Sequence, residues 1–184
     1  MKAKVNKISI RIVHNTLLNL PVDAFVHATD PNLTLTQEMI LRGGPTLHYE
    51  CQYIGWCDIG AAVITTAGDL NFKKIIHAVG PRWGEGSERG KLANATRQTL
   101  HLAENNQLKS LALPAISTGI LGYPVENCAK VMLTEIIDFT FEPVKHVRKI
   151  LLCLENDLAY AAFVKEFQRQ IKDLKASGEG QVKA

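Results

Sequence analysis

Apolar and polar positions change period repeatedly along this chain, and strand-like stretches alternate with helix-like ones. Lys7–Val13 alternates, with Ile8, Ile10 and Ile12 on one side, as a half-buried strand requires. Ala24–Ala28, Ala61–Thr66, Lys74–Val79, Ser110–Ala115 and Lys149–Leu154 are short apolar runs bounded by turn residues, and read as further strands. Between them the spacing becomes helical. Gln37–Arg42 predicts a short helix that stops at Gly43-Gly44, and Pro45 opens another with Leu47, Cys51 and Ile54 on one face. Lys91–Asn105, Pro124–Phe139 and Asp157–Leu174 predict longer amphipathic helices. Trp83–Gly90 is a polar, glycine-rich loop. Strands separated by helices imply a mostly parallel sheet covered on both faces, with ligands received beyond the carboxyl ends of the strands.

The 184 residues suit one domain, placed at residues 1–175, and the small polar stretch 176–184 is expected to be disordered. Hydrophobic residues make up 46% and charged residues 21%, enough for a true core. No apolar run is long enough to span a bilayer, and Lys7 and Arg11 interrupt the N-terminal one, which therefore reads as a strand and not as a secretory signal. A formal charge of +3 suits an anionic ligand but falls short of what general nucleic-acid binding calls for. Four scattered cysteines fit reduced thiols in a cytoplasmic protein. His48, Cys51 and Cys57 lie close in sequence, but their spacing is not that of paired zinc hooks, so no metal is expected; nor is a cofactor.

The most informative stretch is Leu111–Pro124. A buried strand runs into Ser117-Thr118-Gly119, then Gly122, then a proline suited to a helix start. Such a loop brings backbone amides together on an anion, with the helix dipole behind them, and Ser117 and Thr118 add hydroxyl donors. Spacing alone leaves a plain strand-to-helix turn equally open, since this is neither a Walker motif nor a dinucleotide fingerprint.

The segment PAISTGILGYPVENCAKVML resembles the second ligand loop and following helix of macrodomains, the ADP-ribose-binding modules. Pro21–Val26, LRGGPTLHYEC at Leu41–Cys51, Gly55–Ala61 and IIHAVGPRW at Ile75–Trp83 are similar to further segments of that family, in the same order. The resemblance runs from about residue 8 to 170. It implies a three-layer α/β/α sandwich around a mixed, mostly parallel sheet of about six strands.

The family's ligand contacts transfer unevenly. Ser117, Thr118, Gly119, Ile120, Gly122 and Tyr123 match the diphosphate loop, while Leu121 replaces a frequent aromatic residue over the distal ribose. Thr16 stands where the family has the aspartate that accepts from adenine, which implies roughly ten-fold weaker binding. Leu158 stands where an aromatic side chain stacks on the base. Asp30 replaces the second asparagine of the distal-ribose motif, and a carboxylate only accepts hydrogen bonds. His27 as a partner for Asp30 is disfavoured, since residues three apart on a strand point to opposite faces. The first glycine loop is lost altogether: Thr34–Ile40 contains no glycine, and Gln37 occupies the place of the water-positioning aspartate, with Glu38 beside it. Asp30, Glu38 and Gln37 are thus the catalytic candidates, although Glu38 fits equally the ordinary role of an acid at a helix start. His77, in an apolar strand, reads as a hydrogen-bonded core residue, and Asp23 as a turn residue.

Three readings stay open. The domain binds ADP-ribose or a related nucleotide diphosphate, free or on an ADP-ribosylated protein. It hydrolyses an ADP-ribosyl or acyl linkage at the distal ribose. Or it is a scaffold that keeps the fold without a ligand.

Overall fold

The computed structural model describes residues 1–184 and contains one eight-stranded mixed sheet. The strands are β1 (Lys2–Val5), β2 (Ile8–His14), β3 (Ala24–Thr29), β4 (Ala62–Thr65), β5 (Lys74–Val79), β6 (Ser110–Leu113), β7 (Lys149–Leu154) and β8 (Val182–Lys183). They lie in the order β4-β5-β3-β6-β7-β2-β1-β8. The five central strands β5, β3, β6, β7 and β2 are mutually parallel, and β4, β1 and β8 add antiparallel edges. The helices are α1 (Gln37–Ile54), α2 (Glu88–Asn105), α3 (Val125–Phe139) and α4 (Asp157–Ser177).

Alternation in the strands sorts side chains between two cores. Ile8, Ile10, Ile12, Val26, Leu111, Leu113 and Leu152 meet the inward faces of α2, α3 and α4, including Phe163 and Phe167. On the opposite face Phe25, Ile75 and Val79 pack beneath Met39, Leu47 and Cys51 of α1. The central strands are apolar on both faces because helices cover both. Both sheet faces are covered as the pattern predicts, and the layers form the α/β/α sandwich that the resemblance implies.

Side chains cap two of the four helices at their N-termini. Thr36 caps α1, its Oγ1 accepting from the Met39 amide, and Asn156 caps α4 through the Ala159 amide. Inside α1, Gly44 leaves helical geometry at φ 73°, so two helical pieces meet there at an angle, with Pro45 opening the second. No helix is long and apolar enough to cross a membrane.

Two strands exceed the expected six. The N-terminal stretch folds back at Asn6, whose φ of 53° starts a two-residue turn, giving β1 and β2 where one strand was read. Residues 176–184, expected to be disordered, complete α4 and then form β8. Asn6 explains this: its amide donates to Gln181 O, its Oδ1 accepts from the Gln181 amide, and its Nδ2 donates to Thr140. The outer edge of β1 offers unpaired backbone groups, and the tail takes them up.

Candidate functional site

The parallel strands β3, β5 and β6 end side by side, and a cleft of about 400 Å³ opens beyond their carboxyl ends. One wall is the segment after β6, from Ala115 to Leu121. The other is His27–Asp30 at the end of β3 and Thr34–Thr36 on the way into α1, with Gly80 on the floor. The glycine-free first loop therefore lines the cleft and leaves it open.

The loop after β6 divides its amides into two sets. Thr118 N donates to Ala115 O, Gly122 N to Gly119 O and Tyr123 N to Ser117 O, and these bonds hold the turn. The amides of Ser117, Gly119, Ile120 and Leu121 have no partner within the protein. Trp83 N braces the loop from outside by donating to Leu121 O, and the Trp83 and Tyr123 rings meet edge to face at 5.0 Å. Gly122 takes φ 73°, a value that glycine adopts freely; Ser117 takes φ 68°, which it does not. The Ser117 hydroxyl is also buried and is the one buried side-chain oxygen or nitrogen without a hydrogen-bond partner. Strain and an orphaned polar group in one residue, at the floor of a cleft, mark a backbone shaped for something other than stability.

The remaining predicted residues separate. Thr118 borders the loop, but its hydroxyl donates to Ala115 O at 2.9 Å and is spent. Ile120 stands exposed at the rim, and Tyr123 lies behind the loop, facing a different hollow. Asp30 lines the cleft; its Oδ1 accepts from the amides of Asn32 (3.0 Å) and Thr34 (3.2 Å) and shapes the turn into the first loop. Gln37 and Glu38 sit in the first turn of α1, outside the lining, and Glu38 pairs with Arg42 at 2.8 Å. Thr16 is exposed before the short 3-10 turn Leu17–Asn19, and Leu158, 74% exposed, borders a separate groove with Lys165 and Arg169. Neither Thr16 nor Leu158 lines the cleft. Asp23 lies at the other end of the sheet, where its carboxylate accepts from the Lys109 amide.

His27 and His77 form a pair that the sequence did not reveal. They face each other across β3 and β5 in register, with Nδ1 to Nδ1 at 3.0 Å. His77 is fully buried, and its Nε2 lies 2.8 Å from Thr65 Oγ1 and 3.8 Å from Cys51 Sγ. Burial pushes His77 down to about 3, helped by the neighbouring His27. Burial lowers His27 to about 4, against the pull of the Asp30 carboxylate. Both rings are neutral at pH 7. A sequence signal existed: each of two apolar strands that lead into cleft loops carries one histidine near its middle. No group of three or more His, Cys, Asp or Glu side chains is arranged to hold a metal ion.

The Macro domain family model matches residues 26–132, more than half of the chain and the whole span from β3 through the ligand loop into α3. The chain belongs to the macro domain family. Among its macro domain relatives, an O-acetyl-ADP-ribose deacetylase of Salmonella typhimurium is 36% identical over 160 residues, covering 82% of this chain and 89% of that protein. An Oceanobacillus iheyensis macrodomain solved with ADP superposes with a TM-score of 0.87 at 27% identity, covering 94% of this chain and 97% of the other. A Trypanosoma brucei macrodomain in complex with ADP-ribose superposes with a TM-score of 0.78 at 26% identity, covering 85% of this chain and 68% of the other.

Proposed function

We propose that this macro domain binds ADP-ribose or a closely related nucleoside diphosphate sugar, with the diphosphate seated on the loop from Ser117 to Leu121. The unpartnered amides of Ser117, Gly119, Ile120 and Leu121 carry this reading. Each amide that stays unpaired in a closed loop forgoes about 1 kcal/mol of net hydrogen bonding, and phosphate oxygens recover it with charge assistance. The family resemblance supplies the rest of the ligand, and relatives solved with ADP and ADP-ribose agree with it. The adenine end is held more weakly than is usual in the family, since Thr16 and Leu158 replace a carboxylate and an aromatic ring and do not line the cleft.

Calorimetry with ADP-ribose, ADP, AMP and ribose 5-phosphate tests the proposal. Saturable one-to-one binding of ADP-ribose and ADP, tighter than that of AMP, is expected. Absence of heat at millimolar ADP-ribose and ADP would leave only the scaffold reading.

A second reading, hydrolysis at the distal ribose, draws on the identity to the deacetylase. Of the three candidates Asp30, Gln37 and Glu38, only Asp30 borders the cleft, with one carboxylate oxygen committed to the turn. Asp30 is therefore the residue to orient water. Acetate release from O-acetyl-ADP-ribose, lost in Asp30→Ala and retained in Glu38→Ala, is the expected pattern; no acetate release by the wild type ends this reading.

A further inference from the structure

The histidine pair lies in a chain of hydrogen bonds whose direction the Thr65 hydroxyl sets. Thr65 Oγ1 is 2.8 Å from Thr66 O, which can only accept, and 2.8 Å from His77 Nε2; with its one proton given to Thr66 O, Thr65 accepts from His77. His77 thus carries its proton on Nε2 and presents a lone pair at Nδ1. His27 must then donate from Nδ1, and its own lone pair is left on Nε2. That nitrogen has no protein partner, yet it is not among the fully buried orphans, and His27 lines the cleft. The lone pair therefore meets the cleft interior. The neighbouring Asp30 carboxylate is also an acceptor. His27 and Asp30 thus place acceptors on the wall opposite the amide loop, and these repel phosphate and suit hydroxyl groups.

We propose that His27 is a specificity residue of the cleft, its Nε2 accepting a hydrogen bond from a hydroxyl of the sugar joined to the diphosphate. Thr65 and His77 act as positioning residues that hold its tautomer. The inference rests on the loop reading above. It adds a division of labour: donors for the diphosphate on one wall, acceptors for the sugar on the other.

The test compares ADP-ribose, which has the second sugar, with ADP, which lacks it. His27→Phe keeps a ring of similar size and removes the acceptor. It is expected to weaken ADP-ribose by about five- to ten-fold, the worth of one neutral hydrogen bond, and to leave ADP unchanged. Equal ADP-ribose to ADP ratios in wild type and variant overturn the assignment to His27 and leave the loop reading standing. Failure of the wild type to bind ADP overturns both. Should His27→Phe not fold, nitrogen-15 NMR of the wild type decides instead. Protonated Nδ1 on His27, protonated Nε2 on His77, and a His27 Nε2 resonance that moves with ADP-ribose but not with ADP are expected. The opposite tautomer on His27, or equal movement with both ligands, contradicts the proposal.

Discussion

Gly80, at the end of β5, lies against Ser117: a Cβ at position 80 would run into Ser117 Oγ and into Cγ2 of Ile116. Two strand ends that are distant in sequence thus meet at the floor of the cleft, and the loop keeps its course only because residue 80 has no side chain.

Gly80→Ala tests that contact. Relief requires the strained Ser117 to move, so a loss of about 1–3 kcal/mol is expected, the range for overpacking a filled site. For a chain of this size that is a fall of about 2–12 °C in Tm. ADP-ribose binding should be lost in material that remains folded by circular dichroism. Unchanged Tm and affinity would mean that the floor yields freely.

Ser117→Gly should stabilise the free protein. It removes a positive-φ residue worth about 1–2 kcal/mol and an orphaned buried hydroxyl. Against this stands about 0.5–1 kcal/mol of extra backbone entropy for glycine. A net gain of about 1 kcal/mol in urea unfolding is expected. A less stable variant would show that Ser117 is not strained.

Gly119→Glu separates binding from folding. A Cβ at Gly119 meets nothing within 4 Å, and its φ is not in the left-handed region, so the side chain costs the fold little. Its carboxylate would stand among the free amides and repel a diphosphate. Wild-type Tm with no measurable ADP or ADP-ribose binding is expected. Unchanged affinity would put the pocket elsewhere, for instance in the hollow around Trp83, Arg89 and Lys130 on the outer side of the loop.

The histidine pair imposes a pH dependence on stability. In the unfolded chain both histidines titrate near the usual value of about 6.5; folded, they are held at about 4 and about 3. Between pH 6.5 and 4 the unfolded state takes up protons that the folded state refuses. Stability is therefore full above about pH 6.5 and falls on acidification, by up to about 1.4 kcal/mol per pH unit for each histidine. Urea unfolding at pH 7, 6 and 5 should show this slope, and His77→Gln should flatten it. A slope unaffected by that change would mean that His77 is not neutral in the fold.

Much of the architecture was legible because it rests on local pattern. β5 and β7 are continuous apolar runs bounded by turns, and both are found at the predicted residues, Lys74–Val79 and Lys149–Leu154. The interruption of α1 was legible for a similar reason, since Gly43-Gly44-Pro45 cannot continue a helix. The turn at Asn6 was not, because no glycine or proline announces it, and β8 was not, because its pairing depends on Asn6, far away in sequence. In the site, the loop from Ser117 to Tyr123 could be read from its glycines. The division of its amides into spent and free ones, the commitment of the Thr118 hydroxyl, and the outward placement of Gln37 and Glu38 needed the folded chain. So did the pairing of His27 with His77, which depends on strand register.

The most direct test is an amide-resolved NMR titration with ADP-ribose. Saturable movement of the Ser117, Gly119, Ile120 and Leu121 amides is expected, larger than that of Thr118, Gly122 and Tyr123, whose hydrogens are already bonded within the loop. Saturable binding that leaves those four resonances in place would contradict the loop reading.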